Sequence, residues 1–354
     1  MNSSDIAKLA GVSRSTVSRI LNGYDDISYE TRKKVEAIIK EYNYIPNSYG
    51  RGLAGKANRI IGLFIVDVDN WSEDNMVLSR SEVFCDFLAY AADIAHNLCY
   101  NILVSIIDRK NYGDIRRLFA DKSICAGLIM GDTYDQEVID ELGREGYKIA
   151  LHNQRDRSEM ENVINVNVDN EGFAYLATKE LLKKGHRKIG MITGNSSKYT
   201  VRKRYHGLLR AMEEAGLSFD TIYTGVGDFH RADGGYDATM QLLENCRNDL
   251  PTALLVANSV MLPGVMRALA EAGLRVPDDL SVIGLTGTKY APYTNPPVTE
   301  LCVSHEMIAS AMISKITELL NMGTLAEYNI TLKQYELVER ESIRDLRQEE
   351  SGKP

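Results

Sequence analysis

Arg14 and Arg19 lie in a short polar stretch that also carries Ser15, Thr16, Ser18 and Asn22. Arginine can donate two parallel hydrogen bonds to guanine O6 and N7, so these two are the candidate base readers. The hydroxyl and amide groups of Thr16, Ser18, Asn22, Ser28 and Thr31 suit phosphate oxygens, which fix register without reading sequence. No comparable set points to catalysis. The six histidines (His96, His152, His186, His206, His230, His305) show no His-x-x-x-His or His-Glu-x-x-His spacing, and no nucleophile elbow or paired carboxylates stand out. The five cysteines (Cys85, Cys99, Cys125, Cys246, Cys302) are scattered singly in or beside apolar segments, as buried free thiols are. Neither an enzyme, a cofactor nor a metal site is expected.

The elements that would position the two arginines follow from spacing. Ile6, Ala7, Leu9 and Ala10 give a short apolar helical face, and Gly11 follows where a helix end needs positive φ. Ser13 can cap a second helix, in which Val17, Ile20 and Leu21 face inward and the polar set outward. A third helix, capped by Ser28, would bury Val35, Ile38, Ile39 and Tyr42. Three short helices around a small core, with a polar face on the second, form a helix-turn-helix.

A chain of 354 residues is too long for one ordinary domain, and 44% hydrophobic with 25% charged residues is a globular composition. The net charge of −8 argues at first against nucleic acid, but its distribution points the other way. Residues 1–60 hold ten Lys/Arg against six Asp/Glu, a balance of +4 that leaves −12 for the remainder. A basic head on an acidic body concentrates phosphate attraction at one end. The N-terminus lacks basic and apolar signal regions, and the longest apolar run, 60–66, is too short to span a bilayer, so a cytoplasmic protein without membrane contact is expected.

The run DIAKLAGVSRSTVSRILN, residues 5–22, resembles the signature helix-turn-helix of the lactose/galactose repressor (LacI/GalR) family. Tyr44-Ile-Pro-Asn47 and Leu53-Ala-Gly-Lys56 are similar to that family's hinge, and a weaker resemblance runs on to Arg340-Glu341-Ser342. The resemblance implies an all-α, lambda-repressor-like head (1–45), a hinge (46–57), a two-lobed effector-binding and dimerisation body (58–342) and a charged tail (343–354). It also implies that paired hinge segments of a homodimer enter the minor groove of a palindromic operator, with Asn47 at the hinge and Leu53 as the wedging leucine. Gly50 and Gly52 depart from the pattern and would each cost about 0.5–1 kcal/mol of helix. The run from Gly50 to Lys56 nearly spells a phosphate-binding loop, but Ala57 supplies no hydroxyl and no strand precedes it.

In the body, apolar runs at 60–66, 102–107, 127–130, 149–151, 189–193, 253–257 and 281–285 alternate with amphipathic runs near 83–97, 135–145, 171–184, 202–215, 235–246, 261–272 and 305–321. Such alternation implies parallel sheets covered on both faces. The resemblance implies a periplasmic-binding-protein-like α/β body of two Rossmann-like lobes. Its lobes would span about 58–165 with 300–323 and about 168–298 with 328–342, with crossings near 165–168, 298–303 and 323–328.

Parallel sheets bind ligands at the carboxyl ends of their strands, which directs attention to the cleft between lobes. Trp71, beyond the first strand, offers an aromatic platform, and Asp132 follows the third. Arg202, Arg204 and Gly207 look like the family's Arg-x-Arg-x-x-Gly, which implies that Arg204 clamps the effector by two hydrogen bonds. Asn258 matches a polar ligand contact and Phe229 a stacking one. Asn153 and Thr286 stand where sugar-binding members often have aspartates. The expected effector is a sugar, sugar phosphate or related metabolite. One that brings its own acceptors, such as a carboxylate or phosphate facing Arg204, fits better than a simple hexose held by that aspartate pair, and a glycoside held differently remains open. The expected protein is an effector-controlled DNA-binding regulator. A transport-associated sugar-binding protein is disfavoured by the basic head, and a kinase or hydrolase by the missing motifs.

Overall fold

The computed structural model describes residues 2–21, 24, 26–42, 44, 58–66, 81–107, 111–131, 136–153 and 160–347. The chain divides into two units, Met1–Asn58 and Arg59–Pro354. Asn22, Asn47, Gly50, Gly52, Leu53, Trp71 and Asp132 lie outside the described residues.

The head holds three helices. α1 (Ser3–Ala10) starts at Asn2, whose side chain accepts from the Ser4 and Asp5 N–H groups while the Asp5 carboxylate accepts from the Asn2 N–H at 2.8 Å. This reciprocal cap satisfies donors that the first turn leaves open. Gly11 ends α1 with φ 66°, the left-handed turn for which glycine is suited. The Ser13 hydroxyl accepts from the Thr16 N–H at 3.0 Å and opens α2 (Arg14–Leu21); Ser28 caps α3 (Tyr29–Glu41) through the Thr31 N–H. Ile6, Ala7, Ala10, Val17, Ile20 and Val35 form the core. Leu9 and Tyr42, expected inside, are exposed. So small a core covers α1 only along Ile6, Ala7 and Ala10, and Tyr44 packs against it in place of Tyr42.

The body holds two six-stranded sheets. In chain order the first lobe contains β1 (Ile60–Val66), α4 (Glu82–Asn97), β2 (Asn101–Ile107), α5 (Gly113–Ala120), β3 (Ala126–Met130), α6 (Gln136–Arg144), β4 (Ile149–His152) and β5 (Val163–Val168). The second lobe follows with α7 (Asn170–Lys183), β6 (Ile189–Thr193), α8 (Tyr199–Glu214), β7 (Thr224–Val226), α9 (Ala232–Asn245), β8 (Ala253–Val256), α10 (Leu262–Glu271), β9 (Ser281–Thr286) and β10 (Thr299–Cys302). The chain then returns through α11 (His305–Met322) and β11 (Asn329–Leu332) to the first lobe, and ends in β12 (Glu336–Val338) in the second. The strand orders are β11-β5-β4-β3-β1-β2 and β12-β10-β9-β8-β6-β7, all parallel except β12.

Alternation along β1 shows how two layers are built. Ile61, Leu63 and Ile65 join the core under α4 and α11, whereas Phe64 and Val66 join the one that holds Ile115 and Phe119 of α5 and Ile139 and Leu142 of α6. The crossings lie between Val168 and Asn170, at 303–304 and at 333–335. The expected boundaries need correcting in two places. β11 pairs in parallel with β5, so 328–332 belong to the first lobe and the third crossing falls after 323–328. β10 pairs with β9, so 300–302 belong to the second lobe.

All five cysteines are free, but only Cys246 is buried; Cys85 and Cys99 are exposed. Cys85 lies on the outward side of α4, and Cys99 sits in the tight turn after it with φ 61°. No described helix is long and apolar enough to cross a membrane.

Candidate functional site

On the head, α2 presents its polar face as the spacing required, but several side chains are tied down locally. Arg14 Nε donates to Ser3 Oγ at 3.1 Å, which draws it towards the start of α1. The Ser13 hydroxyl lies 2.6 and 2.8 Å from those of Ser15 and Thr16, and Ser28 pairs with Thr31 at 2.8 Å. Arg19, in the last turn of α2, contacts the Asp26 carboxylate and lies over the Tyr24 ring. Arg19 and Asp26 are about half exposed, so the pair stands at the surface.

In the body, the expected residues converge on one network at the first crossing. Asn153 follows β4 with φ 52°, and its Oδ1 accepts from Val168 N–H at 3.1 Å and Asn170 Nδ2 at 3.3 Å. Asn170 opens α7 in the second lobe, and its own Oδ1 accepts from Arg204 Nε at 3.0 Å. Arg204 Nη1 donates to the Ala257 carbonyl at the end of β8. The guanidinium sits between the Phe173 and Phe229 rings, 5.4 and 5.8 Å from their centroids. Gly207 permits this arrangement, because a Cβ there would meet the Glu171 carbonyl at 2.1 Å and hold α8 off α7. Two Arg204 nitrogens, Nε and Nη1, are engaged by the protein. Arg204, 4% exposed, binds the strand ends together first.

Asn258 and Thr286 form a second knot beside it. Asn258 Nδ2 donates to the Phe229 carbonyl at 2.7 Å, and its Oδ1 accepts from Thr286 Oγ1 at 3.2 Å. Thr286 holds φ 103°, a backbone region that a β-branched residue rarely adopts and that marks functional sites more often than inert ones. Arg202 is not part of this group; it is half-buried, and its Nη1 donates to the Ser196 and Ser197 carbonyls.

Other residues at the same strand ends escaped the sequence reading. Lys198, 7% exposed, stands at the N-terminus of α8, and the buried Thr193 and Thr200 hydroxyls there have no hydrogen-bond partner among the described residues. A helix N-terminus with a cation favours an anionic or acceptor-rich group. From the first lobe Phe84 stacks on His230 of the second, centroids 6.5 Å apart, and His230 meets Phe229 edge-on at 5.4 Å. Next to Phe84 along α4, Asp86 receives Lys289 Nζ from the second lobe at 2.7 Å and lies 3.8 Å from His305 Nδ1. Burial pushes His305 below its usual range against the pull of Asp86, so Lys289 is the counter-charge at neutral pH. Replacing Lys289 by alanine should loosen the lobes by about 0.5–1 kcal/mol, the scale of a partly exposed pair. Calorimetric titration would then show roughly two- to fivefold weaker effector binding, with the difference vanishing in high salt.

Residues 4–47 match the family described as "Bacterial regulatory proteins, lacI family", and residues 178–343 match "Periplasmic binding protein-like domain". The HTH-type transcriptional repressor PurR of Photobacterium profundum is 31% identical over 345 residues, 97% of this chain and 98% of that protein. This chain belongs to the LacI family. Among solved structures, the lac repressor dimer bound to operator and the anti-inducer ONPF gives a TM-score of 0.82 at 28% identity, covering 96% of this chain and 98% of that one. The transcriptional regulator CelR in complex with cellobiose gives 0.70 at 26%, covering 95% and 98%. This LacI-family chain is a transcriptional repressor with a ligand-binding domain, and not an enzyme. Among the described residues, no group of His, Cys, Asp or Glu is placed to hold a metal.

Proposed function

We propose that this LacI-family repressor acts in the cytoplasm as a homodimer on a near-palindromic operator. Arg14 and Arg19 read base edges in the major groove, Ser15, Thr16, Ser18, Asn22, Ser28 and Thr31 contact the backbone, and Asn47 and Leu53 act at the minor groove. The effector is a sugar derivative carrying an anionic or acceptor-rich group, held between the lobes near Lys198, Arg204, Phe229, Asn258 and Thr286. Asn153 stands on the first-lobe side of the same cleft, and Trp71 and Asp132 are proposed as further effector contacts. The observation that carries this reading is the burial of two cations, Lys198 and Arg204, at the strand ends, with Arg204 against the Phe173 and Phe229 rings. Cellobiose in the related CelR complex supports the sugar class. A flat heteroaromatic effector such as a nucleobase is the second reading, favoured by the cluster of Phe84, His230 and Phe229 rings across the cleft.

Effector binding alters lobe closure and thereby the spacing of the hinges, coupling the two sites by about 1–3 kcal/mol. The primary test is anisotropy titration of the full-length protein on duplexes from the neighbouring intergenic DNA. Arg19→Ala should weaken specific binding by about 1–3 kcal/mol and relax preference at one base pair. Equal weakening on every sequence would restrict Arg19 to phosphate contact, and no preference for any duplex over random DNA would end the reading. A thermal-shift screen of sugars, sugar phosphates and nucleobases separates the two effector classes.

A further inference from the structure

Arg19 is a restrained arginine. Its guanidinium meets the Asp26 carboxylate on one side and lies 5.7 Å from the centroid of the Tyr24 ring. Tyr24 is itself held in place. The Tyr24 N–H donates to the Arg19 carbonyl at 3.1 Å, and Arg32 Nη2 on α3 donates to the Tyr24 carbonyl. A negative charge here is expensive for a surface that must approach phosphates, and Asp26 is one of six acids among the ten Lys/Arg of residues 1–60. A role for it must therefore lie in what it does to Arg19.

We propose that Asp26 is a specificity-determining residue of the DNA-reading face, holding the Arg19 guanidinium in one orientation towards a base pair. An unrestrained arginine explores many rotamers and can turn to whichever acceptor or phosphate is near. Held by a carboxylate through one edge, with an aromatic ring against its plane, the guanidinium turns a fixed pair of donors to the groove. That geometry matches the two acceptors of guanine and penalises base pairs that present a donor in the same place. Asp26 thus lowers general affinity for DNA while raising discrimination at one position. The inference rests on Arg19 being a base reader.

The experiment uses the full-length protein and a duplex selected by it from a random-sequence library, together with all single-base-pair variants of that duplex. Equilibrium anisotropy is measured for wild type, Asp26→Asn, Arg19→Ala and the double variant. For Asp26→Asn, binding to random duplex should tighten by about two- to fivefold, as one repelling charge is removed. Its discrimination at the Arg19-dependent base pair should fall by about five- to tenfold. In the Arg19→Ala background, Asp26→Asn should leave base preference unchanged. If Asp26→Asn tightens every duplex equally and preserves base preference, Asp26 only competes with DNA for Arg19 and the inference is overturned. If Arg19→Ala changes no base preference, the underlying assignment of Arg19 fails instead, and this inference with it.

Discussion

Replacing Arg340 by methionine should destabilise the body by about 3–5 kcal/mol, the usual penalty for stripping a buried charge of its partner. Glu300 lies on β10 with its side chain 1% exposed, and Arg340 Nη1 reaches its Oε2 at 3.1 Å while also donating to the Val298 carbonyl. Burial pushes the Glu300 carboxyl above the usual carboxylate range, against the opposing pull of Ser259, Arg340 and the Thr288 backbone. An acid whose folded pKa is raised adds no penalty while protonated in both states, and its penalty develops as pH rises through its unfolded and then its folded value. Removing Arg340 enlarges that penalty. The deficit of Arg340→Met in urea unfolding should therefore be greatest near neutral pH and shrink on acidification towards the ordinary glutamate range. The double variant Glu300→Leu/Arg340→Met, which removes both charges from a buried site, should return to within about 1–2 kcal/mol of wild type. A pH-independent deficit would show that Arg340 acts through packing and its bond to the Val298 carbonyl, not through the Glu300 charge.

The second large effect concerns Arg204→Met. Methionine nearly fills the space between Phe173 and Phe229, so the loss is chiefly polar. Asn170 Oδ1 and the Ala257 carbonyl would each lose a charged donor, at about 1–3 kcal/mol apiece, and the two rings would lose a buried cation. A fall of about 2–6 kcal/mol in unfolding free energy is expected, together with at least tenfold weaker effector binding. Arg204→Lys keeps the charge but cannot reach both acceptors with one planar fork. It should recover part of the effector affinity and little of the stability. If effector affinity survives in Arg204→Met while stability falls, Arg204 is architectural and the effector's cation is Lys198.

The parts of the fold legible in the sequence were those with an uninterrupted physical signal. The apolar runs of β1, β3, β6, β8 and β9 gave their strands, and the cap and glycine around α2 gave the head. What escaped had polar residues in buried places. β5 reads Val-Ile-Asn-Val-Asn-Val, with Asn165 buried and its Nδ2 donating to Asn329 of β11 at 2.6 Å. Glu300 interrupts β10 in the same way, β12 is a three-residue edge, and α5 is only eight residues long. The boundary errors between lobes follow directly from these strands.

The site was legible in its second-lobe residues, because Arg204, Asn258 and Thr286 lie on or just past elements that the pattern revealed; Phe229 follows β7, which the pattern did not reveal, and was found only through the family resemblance. Asn170 was missed because β5 was missed; it is a polar residue just past a strand end, as Asn153 and Asn258 are. Phe84 and His230 acquire meaning only by meeting across the cleft, which no local spacing records. His186 is buried, with Nδ1 3.0 Å from Thr252 Oγ1 and Nε2 3.1 Å from the Arg344 carbonyl, and desolvation lowers its pKa.

β11 and β12 complete opposite sheets within a single closing stretch of chain, and Ser342 then bonds to Val282 and Thr299 of the second lobe. During synthesis on the ribosome, neither lobe can therefore mature by itself as it emerges. Both wait for the same late residues and finish almost together. A nascent chain stalled before residue 329 would carry a completed helical head on two sheets with raw edges, a species inclined to pair with its neighbours rather than respond to a metabolite.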